Sequence, residues 1–174
     1  DHAATTALRP EVREAMLPYF DERVGNPSSI HRWGRQARNA LEQAREQLAG
    51  ALGAKRREIV FTGGGTEADN LAVLGRWRSE CRVRGDVGGA IVCSAVEHKA
   101  VGAAAKCAAD EGAELILLGV DQEGRVDLGS VDEALRVRPC VVSVMWANNE
   151  VGTIEPVDEI AARCDAAGIV FHTD

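Results

Sequence analysis

Short unbroken apolar runs alternate along most of this chain with longer stretches in which apolar residues return every three or four positions. The runs Ile59–Thr62, Ile91–Cys93, Leu115–Leu118, Val141–Trp146 and Ile169–His172 read as strands. Helices are expected between them: Glu67 to about Arg84, about Lys99 to Glu111, near Val131–Arg136 and near Val157–Ala167. Strands that lack apolar/polar alternation are buried on both faces. The predicted fold class is therefore α/β, a mostly parallel sheet flanked by helices. The first third of the chain follows a different pattern. A helix is expected to start at Pro10, favoured in a first turn, and the turn formers Gly25–Ile30 read as a loop. A longer helix, His31 to Leu52, carries Ala37, Leu41, Ala44, Leu48 and Leu52 on one face and ends at Gly53. Residues 1–53 are thus expected to form a helical arm with a loop, and residues 54–174 an α/β domain.

Composition narrows the class. The 174 residues are 45% hydrophobic, enough to build a sizeable core, and the 18 glycines suit tight strand-to-helix turns. Net charge is −7, and the basic residues form no patch interleaved with aromatics, so nucleic acid is not an expected partner. The five cysteines are odd in number and contain no C-x-x-C pair, which reads as free thiols in a reducing compartment and not as a disulfide or zinc framework. No apolar run has the length of a membrane span. No leader pattern opens the chain, although it begins at Asp1 and not at Met. A cytoplasmic protein is expected.

In a parallel sheet, ligands bind beyond the carboxyl ends of the strands. That rule selects Gly63–Thr66, Glu97–His98, Asn148–Asn149 and Asp174. Gly63-Gly64-Gly65-Thr66 opens a helix: the glycines let backbone approach a ligand, and the helix start offers unpaired N–H groups to a phosphate. The alternative is a tight turn with Thr66 as N-cap and Asp69 completing a capping box. A P-loop would require Gly-Lys-Ser/Thr, and no Lys follows. The dinucleotide pattern G-x-G-x-x-A is met by Gly63–Ala68, but the next strand ends in Cys93-Ser94 where an acidic residue belongs. A nicotinamide dehydrogenase is thereby disfavoured. His98 reads either as a cap or as a catalytic group, and Asn148-Asn149 either as an Asx-turn or as an amide donor. Asp174 at a strand end needs a cationic or hydrogen-bonding partner. A phosphate cradle, an amide donor and a carboxylate on one sheet edge fit pyridoxal 5'-phosphate, whose protonated ring is an electron sink.

The ordered segments Asp1–Thr6, Gly25–His31, Ile59–Asn70, Ser94–Ala100, Val142–Ile154 and Phe171–Asp174 resemble the cysteine desulfurases, aminotransferase class V enzymes of fold-type I. The resemblance implies that Gly65 and Thr66 bind the cofactor phosphate and that His98 stacks on the ring and assists proton transfer. It further implies that Asn149 contacts the ring oxygen and that Asp174 pairs with the pyridine nitrogen. Gly63 stands where the family commonly has serine. The implied activity converts L-cysteine to L-alanine and an enzyme persulfide, with sulfur passing to acceptor or iron–sulfur scaffold proteins. A homodimer with a small C-terminal domain is implied as well. The alternatives are a selenocysteine lyase or another class V enzyme that uses pyridoxal 5'-phosphate and, from a different class, a non-catalytic protein-binding relative. The family's cofactor lysine lies in a Ser-x-His-Lys stretch that none of Lys55, Lys99 and Lys106 matches, and its persulfide cysteine lies on a later mobile loop. The chain is accordingly expected to be the N-terminal half of such an enzyme, inactive alone.

Overall fold

Continuous apolar strands need cover on both faces, and within the 113 residues from Thr62 onward that cover is complete for Ala90–Ser94 and Val141–Ser143 but partial for Glu114–Leu118, where Leu117 is exposed, and for Phe171–His172. The computed structural model describes residue 2 and residues 5–174, in two compact units, Asp1–Phe61 and Thr62–Asp174. Asp1, Ala3 and Ala4 of the opening segment of the resemblance lie outside the described residues.

In the second unit, four strands form an all-parallel sheet: β1 (Ala90–Ser94), β2 (Glu114–Leu118), β3 (Val141–Ser143) and β4 (Phe171–His172), in the order β2-β1-β3-β4. Successive side chains of a strand point to opposite faces, and the core divides accordingly. Ile91, Cys93 and Val141 pack with Val73 and Trp77 and with Val101, Ala104, Ala105 and Ala108 of helix α5 (Lys99–Asp110). Val92, Val142 and Leu118 pack on the other face with Val131 of α6 (Leu128–Leu135) and Ile160 and Cys164 of α7 (Val157–Ala167). Each fully buried Val or Ile contributes about 1.5–3 kcal/mol. The alanine stripe on α5 lets that helix lie close to the sheet.

The single helix expected from Glu67 to Arg84 is two segments, α3 (Gly65–Ala72) and α4 (Leu74–Arg84). They meet at Val73, where the hydrogen bonds continue: Val73 N donates to Asp69 O at 2.8 Å and Trp77 N to Val73 O at 3.1 Å. Regular β3 stops at Ser143, short of the expected Trp146. The chain beyond it still follows its neighbour, with Val144 N donating to His172 O and Trp146 N to Asp174 O.

In the first unit, α1 (Pro10–Met16) starts at its proline, and α2 (Arg32–Leu52) is capped by His31 and closed by Gly53 at φ 65°. A Cβ on Gly34 would collide with the backbone oxygens of Ser29 and Asn26, so glycine there lets the Gly25–Ile30 loop lie against the helix. The expected strand Ile59–Thr62 does not form. A strand exists only with a partner to exchange backbone bonds. Here Arg45 Nη1 donates to the Ile59 carbonyl and its guanidinium lies 4.9 Å from the Phe61 ring centroid, while Val60 is exposed. No helix among the described residues is long and apolar enough to cross a membrane.

Candidate functional site

The carboxyl ends of the strands bring most of the sequence-selected residues onto one edge of the second unit. Gly64 is the N-cap of α3, with no side-chain cap, so Thr66 sits inside the first turn and the capping box of Thr66 and Asp69 is not made. Glu67 reaches back instead, its Oε2 accepting from Gly63 N at 2.6 Å. Helix geometry leaves the first-turn amides of Gly65, Thr66 and Glu67 without intrahelical acceptors. A Cβ on Gly64 or Gly65 would meet nothing within 4 Å. The helix start is therefore an open, amide-lined surface, with the positive end of the helix dipole beneath it.

His98 follows β1 and caps α5, its Nδ1 accepting from Ala100 N at 3.2 Å. In a neutral ring the proton therefore lies on Nε2. The cap and a ring-facing role are compatible, because the cap uses one nitrogen. His98 and Asn149 line a pocket of about 310 Å³ together with Glu97, Lys99 and Asn148. Asn148 is the structural member of the amide pair. It donates to Val96 O at 3.0 Å and accepts from Glu150 N and Val151 N, an Asx-turn that pins the loop. Asn149 is exposed, and among the described residues its side chain has no hydrogen-bond partner.

Glu97 braces this edge. Its Oε1 accepts from Ser94 Oγ at 2.7 Å and from Met145 N at 2.8 Å, tying the end of β1 to the chain leaving β3. Its Oε2 is buried without a partner. Burial raises the Glu97 carboxyl to about 7, against the two hydrogen bonds, which favour the charged form.

Two groups absent from the selected residues complete the edge. Asp69 of α3 is 3% exposed, and one of its carboxylate oxygens, one of Asp174's and a ring nitrogen of His98 lie within 4.8 Å of one another. His172 Nε2 lies 3.7 Å from Asp69 Oδ1. Burial, and then the Asp174 charge, push Asp69 up, with the two histidines opposing. Burial pushes His172 down, with the two carboxylates opposing. The sequence did carry a signal for Asp69: Asp69, Val73 and Trp77 recur every fourth residue, which puts the acid on the buried stripe of its helix. Gly65 and Thr66 lie one turn before it on the same helix, and α3 packs against α5, whose cap is His98. Asp174, Asp69 and His98 are thus brought together, with the amide-rich turn on the same helix as Asp69, and Asn149 lines one pocket with His98.

This donor set fits a cofactor with an anionic end and a basic ring nitrogen: amides for the anion, carboxylates for a protonated nitrogen, and an imidazole beside the carboxylates. Burial works against a nucleophilic thiolate at three of the five cysteines. Burial pushes the Cys93 thiol up to about 12 and also raises Cys140 and Cys164, which keeps them as thiols. Cys81 and Cys107 are half-buried on helices, with Sγ facing Gly88 O and Glu111 Oε1 respectively.

The aminotransferase class-V family profile matches residues 1–174. A cysteine desulfurase IscS of Dictyoglomus turgidum is 47% identical over 174 residues, which are all of this chain and 43% of that protein. A solved NifS-like protein superposes with a TM-score of 0.90 at 34% identity, covering 100% of this chain and 47% of the other. The structure of SspA in complex with cysteine gives a TM-score of 0.90 at 34% identity, covering 100% and 49%. The chain therefore spans less than half the length of these relatives.

Proposed function

The chain belongs to the aminotransferase class-V family, and we propose that it is the N-terminal, cofactor-binding part of a cysteine desulfurase that uses pyridoxal 5'-phosphate. The observation that carries this reading is the meeting of Asp174, Asp69 and His98 at the strand ends, with an amide-lined helix start on the helix that carries Asp69. The reaction converts L-cysteine and a protein thiol to L-alanine and a protein persulfide. When bound, pyridoxal 5'-phosphate supplies the electron sink for bond cleavage next to the substrate's amino group.

The chain's own residues have separable tasks. The backbone amides of Gly65 and Thr66, with the Thr66 hydroxyl, hold the phosphate; charge-assisted bonds of this type are worth about 1.5–3 kcal/mol each. Asp174 keeps a proton on the ring nitrogen, because a carboxylate beside a cation favours the charged form. His98 faces the ring and moves a proton through the nitrogen its cap leaves free. The Asn149 amide donates to the ring oxygen. Lys99 lines the pocket but is exposed at the first position of α5, whereas an amine nucleophile works from a desolvated or charge-perturbed position. The cofactor lysine and the persulfide cysteine are therefore assigned to neither Lys99 nor the five cysteines. A homodimer, a cytoplasmic location and sulfur delivery to acceptor or iron–sulfur scaffold proteins complete the proposal.

The test is turnover by the complete protein that carries this chain, loaded with pyridoxal 5'-phosphate. In a single turnover without added reductant, L-cysteine should give L-alanine and protein-bound sulfane sulfur in equal amounts. Turnover of L-selenocysteine with none of L-cysteine would reassign the chain to a selenocysteine lyase, and absence of cofactor uptake would refute the reading altogether.

A further inference from the structure

Asp174 alone suffices for the nitrogen contact proposed above, yet a second carboxylate stands at the same place. Asp69 projects from the inner face of α3, 3% exposed, and among the described residues no backbone amide donates to its side chain. On one side its carboxylate is within 4.8 Å of the Asp174 carboxylate and the His98 ring. On the other, His172 Nε2 is 3.7 Å from Asp69 Oδ1. The remaining His172 nitrogen, Nδ1, shares a 2.9 Å hydrogen bond with Ser143 Oγ, whose residue is 0% exposed. Ser143 and His172 are register partners across β3 and β4, so pairing of the strands itself builds the link.

This chain of groups has a direction. A neutral imidazole with Nε2 facing a carboxylate carries its proton there, so Nδ1 accepts from the Ser143 hydroxyl. The direction of the His172 shift, set by burial, favours that neutral ring over a counter-ion. Two carboxylates at this separation repel, and one of them takes up a proton unless a cation lies between or beside them. Among the described residues no Lys or Arg forms an ion pair with either one. The groups facing Asp69 are His172, His98, Asp174 and, more distantly, Glu97.

We propose that Asp69 is a second carboxylate for the cofactor's ring nitrogen, a positioning residue fixed by the Ser143–His172 link, which acts with Asp174 to hold the ring protonated. The cation it awaits is a protonated pyridine nitrogen. The inference rests on the proposed function, and its experiment separates the two. The complete protein is loaded with pyridoxal 5'-phosphate labelled with ¹⁵N in the ring, and the ring-nitrogen chemical shift is followed with pH in wild type, Asp69→Asn and His172→Gln. Asp69→Asn should retain cofactor while the ring loses its proton about one to three pH units lower, the effect of removing one nearby charge. His172→Gln should move the titration in the same direction by less, since the charge stays but loses its anchor. Should Asp69→Asn fail to fold, His172→Gln decides: a lowered titration supports the role and a wild-type titration overturns it. Wild-type titration in both variants overturns the role of Asp69 alone. A wild-type protein that takes up no cofactor overturns the proposed function and this inference with it.

Discussion

Replacing Glu97 by glutamine removes a charge from a place that disfavours it while keeping the shape. The Glu97 carboxyl lies at about 7 against an ordinary value of 4.5. The folded protein thus binds this proton more tightly than the unfolded chain. Its contribution is intact below pH 4.5 and is lost as pH rises to about 7. Above that range the charged carboxylate costs the fold about 3 kcal/mol, since each pH unit of displacement is worth about 1.4 kcal/mol. Glutamine keeps the carbonyl that accepts from Ser94 Oγ and Met145 N, and its amide occupies the side where Oε2 has no partner. Glu97→Gln should therefore gain on wild type by about 2 kcal/mol between about pH 5 and about pH 8. The assay is urea unfolding of both proteins at the two pH values, read as the difference between them, so that every other titrating group cancels. A difference that does not change with pH would refute the burial argument. A variant that loses ground as pH rises would mean that the charged carboxylate is the state the fold was built around.

Other substitutions test single elements of the site in the complete protein. Gly65→Val should abolish most cofactor retention while leaving the fold intact, because its Cβ enters open space above the helix start; normal cofactor content would remove the phosphate assignment. His98→Gln should retain cofactor but lose most L-alanine production, by about two to four orders of magnitude for a lost proton-transfer group; near-normal turnover would leave His98 a helix cap only. Replacing all five cysteines by Ser or Ala should preserve persulfide formation while lowering stability through buried Cys93, Cys140 and Cys164. Persulfide mapped by mass spectrometry to any of the five positions would contradict this.

The layered fold was legible because its signal is local. Ala90–Ser94 is buried at every position, and a continuous apolar run states as much. Gly53, Gly85 and Gly168 end their helices in the left-handed region, as terminal glycines announce. Ile59–Thr62 misled because its composition matches a strand while pairing depends on a neighbour that composition does not specify. Asp69 was hidden by an equally local reading: three residues after a threonine at a helix start, an acid looks like a cap. Its real partners come from elsewhere, His172 by sheet pairing and His98 by the docking of α5 against α3. The Ser143–His172 contact likewise requires knowing that β3 and β4 are adjacent and in which register. Asn148 and Asn149 are indistinguishable as letters. Only the carbonyl of Val96 and the amides of Glu150 and Val151 show that the first is committed to the loop, whereas the second has no side-chain hydrogen-bond partner among the described residues.

A crystal structure of the complete protein with pyridoxal 5'-phosphate decides whether this strand-end edge seats the cofactor. Phosphate oxygens should lie about 2.7–3.2 Å from the backbone nitrogens of Gly65 and Thr66. The ring nitrogen should lie against the Asp174 carboxylate, with Asp69 nearby and His98 on the ring face. A phosphate bound away from the start of α3, or a ring whose nitrogen faces neither carboxylate, would place the cofactor elsewhere.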